Sequence, residues 1–198
     1  MWKLCFLLAL ATGARRSELH ALSRDNGHVT FTPTGVVLGV RNDFLAKNQI
    51  VGSRPWSFPM SALVLNEDSP LADSLLCPVR ILRKYLEFTS DVSEGPLLLK
   101  CNSLGRPKMQ TISAWLKNCI QLAYSSEEAT RGVKAHEVRK LAASWAFFSG
   151  TSAEDVVRAG KWRSANTFTN HYMAEVRVQP DGVFRWPPFI ALSSQCNL

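Results

Sequence analysis

Several features that would assign this chain quickly are scarce or missing. Its five cysteines, Cys5, Cys77, Cys101, Cys119 and Cys196, are odd in number and contain no CxxC pair. That speaks against a disulfide framework and a zinc site, and favours a reducing compartment. No stretch reaches the roughly 18 apolar residues that a membrane span requires. No segment repeats, and no tract is of low complexity. Acidic residues are few: 16 Asp and Glu stand against 23 Lys and Arg, leaving a formal net charge of +7. A surplus of that size favours a polyanionic partner, of which nucleic acid is the commonest. Tyrosine is rare as well, with three in the chain, so each can be weighed separately.

What is present suits one folded domain, or one domain with a tail. The chain has 198 residues and is 46% hydrophobic, enough to bury a core, so disorder is not the default. The opening run Met1–Ala11, MWKLCFLLALA, has two readings. One lysine followed by apolar and then small residues is the pattern of a secretory signal peptide, which would be cleaved near Ala14. The same run also suits a buried helix that leads into the polar segment after it.

Periodicity predicts a mainly helical α+β fold with a small three-stranded antiparallel sheet. A helical pattern covers Arg15 to about Leu22, with Leu19 and Leu22 on one face. Asn26-Gly27 marks a turn. His28–Thr32 and Val36–Val40 flank Pro33-Thr34-Gly35 as a hairpin, and Trp56–Met60 follows a polar loop as the third strand. Helices are expected over Pro78–Phe88, with proline in the first turn, and over Thr111–Tyr124, His136–Phe148, Ser152–Ala159 and Ser164–Ala174. Leu97–Leu99 is a short apolar run before the turn Gly105-Arg106-Pro107. From Val176 onward the chain shows no period.

Three separated segments carry the candidate chemistry. In Ala11–Leu19, ATGARRSEL, a glycine turn before a helix start sets Arg15 and backbone N–H groups where a phosphate can sit. In AHEVR, His136 and Arg139 lie three apart, on one helix face, and offer further donors to phosphate oxygens. In GKWRSANTFTNHY, Tyr172 follows Trp162 by ten positions. Taken alone, each has an ordinary explanation: a solvated arginine, a polar helix face, a core tyrosine such as Tyr85 or Tyr124.

In this order, TGARRSEL, HEVR and a Gly-x-Trp turn followed by a tyrosine resemble the catalytic domain of the tyrosine recombinase (phage integrase) family. The likeness spans roughly Met1–Ala174, and the phrase GKWRSANTFTNHY is similar to recombinases of eukaryotic mobile elements, the DIRS-like and Crypton-like kinds. It favours the buried-helix reading of the N-terminus, because cleavage near Ala14 would remove or expose the first motif. The resemblance implies that Tyr172 attacks the scissile phosphate, forming a 3′-phosphotyrosyl intermediate and releasing a 5′-hydroxyl. Arg15 and Arg139 would offset the phosphate charge. His136 would donate a hydrogen bond or accept the tyrosine proton. Trp162 would donate its indole N–H and pack the site. Lys47, in the loop between the second and third strands, would be the acid for the leaving oxygen, and Glu18, not itself catalytic, would brace Arg15 or its helix start. The covalent intermediate conserves bond energy, so no metal, ATP or other cofactor is expected.

The resemblance further implies double-stranded DNA as partner, a homotetramer on DNA, no membrane, and a nuclear location in a eukaryote or a cytoplasmic one otherwise. Two departures stand out. Trp162 to Tyr172 is ten steps where many members have nine, and Arg15 lies close to Met1 where members usually carry a preceding core-binding domain. The expectation is therefore a catalytic domain over residues 1–175 without that preceding domain, and a tail over 176–198. The alternatives are an inactive DNA-binding remnant, a type IB topoisomerase, whose chemistry is similar, and a secreted basic protein.

Overall fold

The computed structural model describes residues 1–47, 49–63, 74–122 and 133–173. The expected tail, and the ends of two expected helices at Tyr124 and Ala174, lie outside the described residues. The elements run α1 (Trp2–Thr12), α2 (Arg16–Ala21), β1 (Val29–Thr32), β2 (Gly35–Gly39), β3 (Ser57–Ser61), α3 (Pro78–Phe88), α4 (Met109–Gln121), α5 (Glu137–Phe148), α6 (Ala153–Ala159) and α7 (Ala165–His171). Helices dominate, and the three strands form one antiparallel sheet in the order β1-β2-β3.

The apolar run at the N-terminus folds into α1, and Leu4, Cys5, Phe6, Leu7, Leu8 and Ala9 are all buried. Six successive buried residues cover every side of a helix, which is why the run shows no polar face. Helices α2, α3, α4 and α5 and strand β3 all pack on it. Each fully buried Leu or Phe there contributes roughly 1.5–3 kcal/mol, so α1 is the axis of the main core.

The sheet closes one side of that core. In β3 the pattern Ser57-Phe58-Pro59-Met60-Ser61 alternates, with Phe58 and Met60 buried. Pro59 is tolerated because β3 pairs only with β2 among the described residues and is an edge strand. In α3, Pro78 occupies the first turn, and Val79 and Leu82 face the core. In α4, Ile112, Trp115 and Leu116 do the same.

Arg24 is a buried polar hub that the sequence pattern does not reveal. Its guanidinium donates to the carbonyls of Thr89, Val92, Pro96 and Leu97 and to the Tyr85 hydroxyl. It thereby fixes the 89–97 segment to the end of α2, and Ser23 pairs with Pro96 beside it.

A second, smaller cluster joins the C-terminal helices: Ala143 of α5, Val156 of α6 and Phe168 of α7, with Phe147, Trp162 and Tyr172 packed against them. Helix α5 belongs to both clusters, since its Val138 lies in the main core. Arg139 is the next residue along, at the junction.

Candidate active site

The first motif owes its shape to Gly13. It ends α1 in the left-handed conformation, φ 59°, where a side chain would be strained. Thr12 stiffens the turn, its hydroxyl donating to Leu8 O at 2.6 Å and accepting from Ala14 N–H at 3.2 Å. The chain then re-enters a helix with Arg15 as N-cap. Glu18, 1% exposed, accepts the Arg15 backbone N–H on Oε2 at 2.7 Å and its guanidinium on Oε1 at 2.8 Å. One buried carboxylate therefore orients both the backbone and the side chain of Arg15.

The second motif opens α5. Arg139 is 3% exposed. Its Nη1 donates to the Gly13 carbonyl and its Nη2 to the Gly160 carbonyl, so it ties the first motif to the third. The guanidinium carbon lies 4.5 Å from the Trp162 ring centre and 5.4 Å from that of Tyr172. Burial, more than the nearby Arg15 charge, pulls its pKa down, yet it stays ionised at neutral pH. Two buried donors here have no hydrogen-bond partner among the described residues: Arg139 Nε and Trp162 Nε1. Leaving a buried donor unpaired costs about 1–3 kcal/mol, which an anion accepting from both would recover.

The third motif supplies the aromatic part. A methyl group at Gly160 would overlap the Trp162 ring, so only glycine lets that ring lie on the turn. Trp162 stands 4.6 Å from the Tyr172 ring and His136 stands 5.0 Å from it, centre to centre. Tyr172 caps α7, and the Ser144 hydroxyl lies 3.1 Å from its carbonyl. His136 is solvent-exposed. Desolvation of its ring, then the Arg139 and Arg15 charges, hold it below its ordinary pKa. It is neutral at pH 7 and can accept a proton.

Five of the six expected residues thus converge: Arg15, His136, Arg139, Trp162 and Tyr172. Lys47 stands exposed in the loop between β2 and β3, and no hydrogen bond or ion pair among the described residues ties it to the group. A lysine that sequence reasoning passed over does lie close. Lys161 feels Glu18, Arg139 and Arg15 electrostatically, and its Nζ packs over Trp56 and Phe58. Its position between Gly160 and Trp162 is the only trace it leaves in the sequence.

Beside Arg15, His136 and Arg139 opens a cavity of about 470 Å3, also lined by Arg16, Lys117 and Lys134. The cationic side chains among its lining residues suit a polyanion. Among the described residues no cluster of three or more His, Cys, Asp or Glu is placed to hold a metal ion. Nor is any helix there long and apolar enough to cross a membrane.

No protein-family model and no curated protein matches the sequence. Among solved structures, the chain superposes on the crystal structure of XerA recombinase with a TM-score of 0.58 at 17% identity. The match covers all of this chain and 57% of that one, so the chain spans little more than half the length of its structural neighbour. The chain has the tyrosine recombinase fold, a mainly helical domain carrying a small three-stranded antiparallel sheet.

Proposed function

We propose that this chain cleaves and rejoins DNA by site-specific recombination, with Tyr172 as nucleophile and a 3′-phosphotyrosyl intermediate. The observation that carries this reading is the pair of unpartnered buried donors, Arg139 Nε and Trp162 Nε1, beside the Tyr172 ring. Buried polar groups are rarely left unsatisfied, and an anion bound next to a tyrosine answers both.

The chemistry follows from charge. A phosphodiester repels nucleophiles and gains negative charge in the transition state. Arg15, held by Glu18, and Arg139, held by two carbonyls, are cations fixed in advance, so little reorganisation is needed. Tyr172 Oη attacks phosphorus while neutral His136 takes its proton, and the bond to the 5′-oxygen breaks. The reverse attack by a 5′-hydroxyl reseals the strand. In this reading duplex DNA is the substrate, four copies act together on it, and the likeness of GKWRSANTFTNHY points to a mobile-element enzyme, nuclear in a eukaryote and cytoplasmic otherwise. Lys47, in the loop between β2 and β3, is the acid that the resemblance offers for the leaving oxygen.

The test uses a pool of nicked duplexes of randomised sequence, in which the cleaved fragment diffuses away and traps the intermediate. Wild-type protein is expected to give an SDS-resistant protein–DNA adduct, and Tyr172→Phe none. Salt-sensitive binding without any adduct would favour an inactive DNA-binding remnant instead. Relaxation of supercoiled DNA without strand exchange would favour topoisomerase action.

A further inference from the structure

We propose that Lys161 is a positioning residue: it fastens the Gly160-Lys161-Trp162 turn to β3 and so holds the Trp162 indole N–H in place for the phosphate. The inference rests on the strand-transfer reading above. Lys161 itself touches no reacting atom.

Two local costs fall on this lysine. Its backbone is left-handed, φ 54°, a conformation that glycine adopts freely and lysine reluctantly. Its ammonium group is also desolvated: burial, aided by Arg139 and Arg15 and opposed by Glu18, pulls its pKa down to about 8. Backbone strain of this kind persists only where the surroundings fix it, and it gathers at functional sites. A lysine's flexible stem can carry its charge to water, yet this one is turned inward. Nζ lies 4.1 and 3.8 Å from the ring centres of Trp56 and Phe58 and 3.4 Å from Ser57 O. Two aromatic rings and a carbonyl suit a cation. Phe58 lies in the main core and Trp56 packs against it, so the anchor is rigid.

The neighbours of Lys161 give this fastening its consequence. Gly160 before it accepts from Arg139. Trp162 after it stands 4.6 Å from the Tyr172 ring, centre to centre, and its buried Nε1 has no hydrogen-bond partner among the described residues. Backbone bonds tie the turn to α6: Gly160 N–H to Val156 O at 2.8 Å, Lys161 N–H to Arg158 O at 3.0 Å and Trp162 N–H to Val157 O at 3.1 Å. They set its shape relative to α6, which packs on α5 and α7. The Lys161 side chain sets it relative to the sheet. Hydrogen bonds weaken steeply with angle, so a small rotation of the turn withdraws the indole N–H from an oxygen that it would otherwise reach.

The test is a double-mutant cycle read by single-turnover cleavage of nicked duplexes. Trp162→Phe keeps a ring but loses the donor, and should slow cleavage by about 10²–10³-fold. Lys161→Met keeps the apolar stem over Trp56 and Phe58 but loses the charge. It should slow cleavage by about 10-fold, the scale of a desolvated cation–π contact, with DNA affinity little changed. If Lys161 acts through Trp162, adding Lys161→Met to Trp162→Phe should cost nothing further. Lys161→Gly relieves the backbone, so it should melt no lower than wild type and still cleave about 10-fold slower; a merely structural lysine would lower both together. Fully additive losses in the double variant would overturn the role. So would a Trp162→Phe variant or Lys161 variants as fast as wild type, or Lys161 variants whose rates fall only with their melting temperatures. Each of those outcomes leaves strand transfer intact. No adduct from wild type would remove the strand-transfer reading, and the Lys161 role with it.

Discussion

Arg139 is held by the carbonyls of Gly13 and Gly160 and lies against two aromatic rings, so its planar fork matters as much as its charge. Lysine cannot span both carbonyls. Arg139→Lys should therefore lower the rate of adduct formation by about 10²–10³-fold, the cost of losing one preorganised donor, measured by single-turnover cleavage. Glu18→Gln should act through Arg15, whose backbone and guanidinium both rest on that carboxylate. The proton inventory sets a pH profile as well. Burial and the Arg139 and Arg15 charges lower His136, so its neutral form persists as pH falls through 6.5 and the acid limb of activity lies below that value. Lys161, facing Glu18, Arg139 and Arg15, loses its proton as pH rises through about 8. Cleavage rates should form a bell with a falling limb near pH 8, and Lys161→Met should abolish that limb. A falling limb unchanged in Lys161→Met would assign it to another group.

At the scale of elements, the helices and strands were legible because their apolar spacing is set by burial on one face. Pro78 in the first turn of α3 and the alternation of Phe58 and Met60 in β3 are local signals of that kind. α1 was ambiguous for the same reason: a helix buried on all sides has no periodicity, and its composition matches a cleaved leader. In the fold α2, α3, α4, α5 and β3 pack around it, contacts that no local pattern announces. Arg15, His136, Arg139, Trp162 and Tyr172 were readable as motifs. Lys161 was not, because Trp56 and Phe58, which desolvate it, are distant in sequence, and Arg24 was hidden by the same kind of long-range contact. The turn between α1 and α2 gives an element-scale test. An added Cβ at Gly13 meets nothing within 4 Å, so Gly13→Ala should cost only backbone strain, about 1–2 kcal/mol, in a denaturant melt. A much larger loss would mean that the turn is more tightly packed than the structure allows.

For the whole molecule, the net charge of +7 is partly gathered where Arg16, Lys117 and Lys134 line the cavity beside Arg15 and Arg139. If these side chains contact DNA phosphates, each neutralises one charge and releases counterions on binding. Alanine at any one of the three should reduce the slope of log affinity against log salt by about 1, with little dependence on DNA sequence. Slopes unchanged in all three variants would place the DNA elsewhere. The two hydrophobic clusters also assign distinct duties. The main core around α1 carries Arg15, whereas the smaller cluster of α5, α6 and α7 carries Trp162 and Tyr172. Arg139 hydrogen-bonds to backbone on both sides, and Tyr172 meets α5, the helix that belongs to both, through Ser144.

The central claim is that Tyr172 becomes covalently joined to DNA. The most direct measurement is mass spectrometry of the SDS-resistant adduct after nuclease and protease digestion, which reads the residue carrying the nucleotide. The account requires a 3′-phosphonucleotide on the peptide containing Tyr172. A nucleotide on Tyr85, Tyr124 or any other residue, or no adduct under conditions where the protein binds DNA, would contradict it.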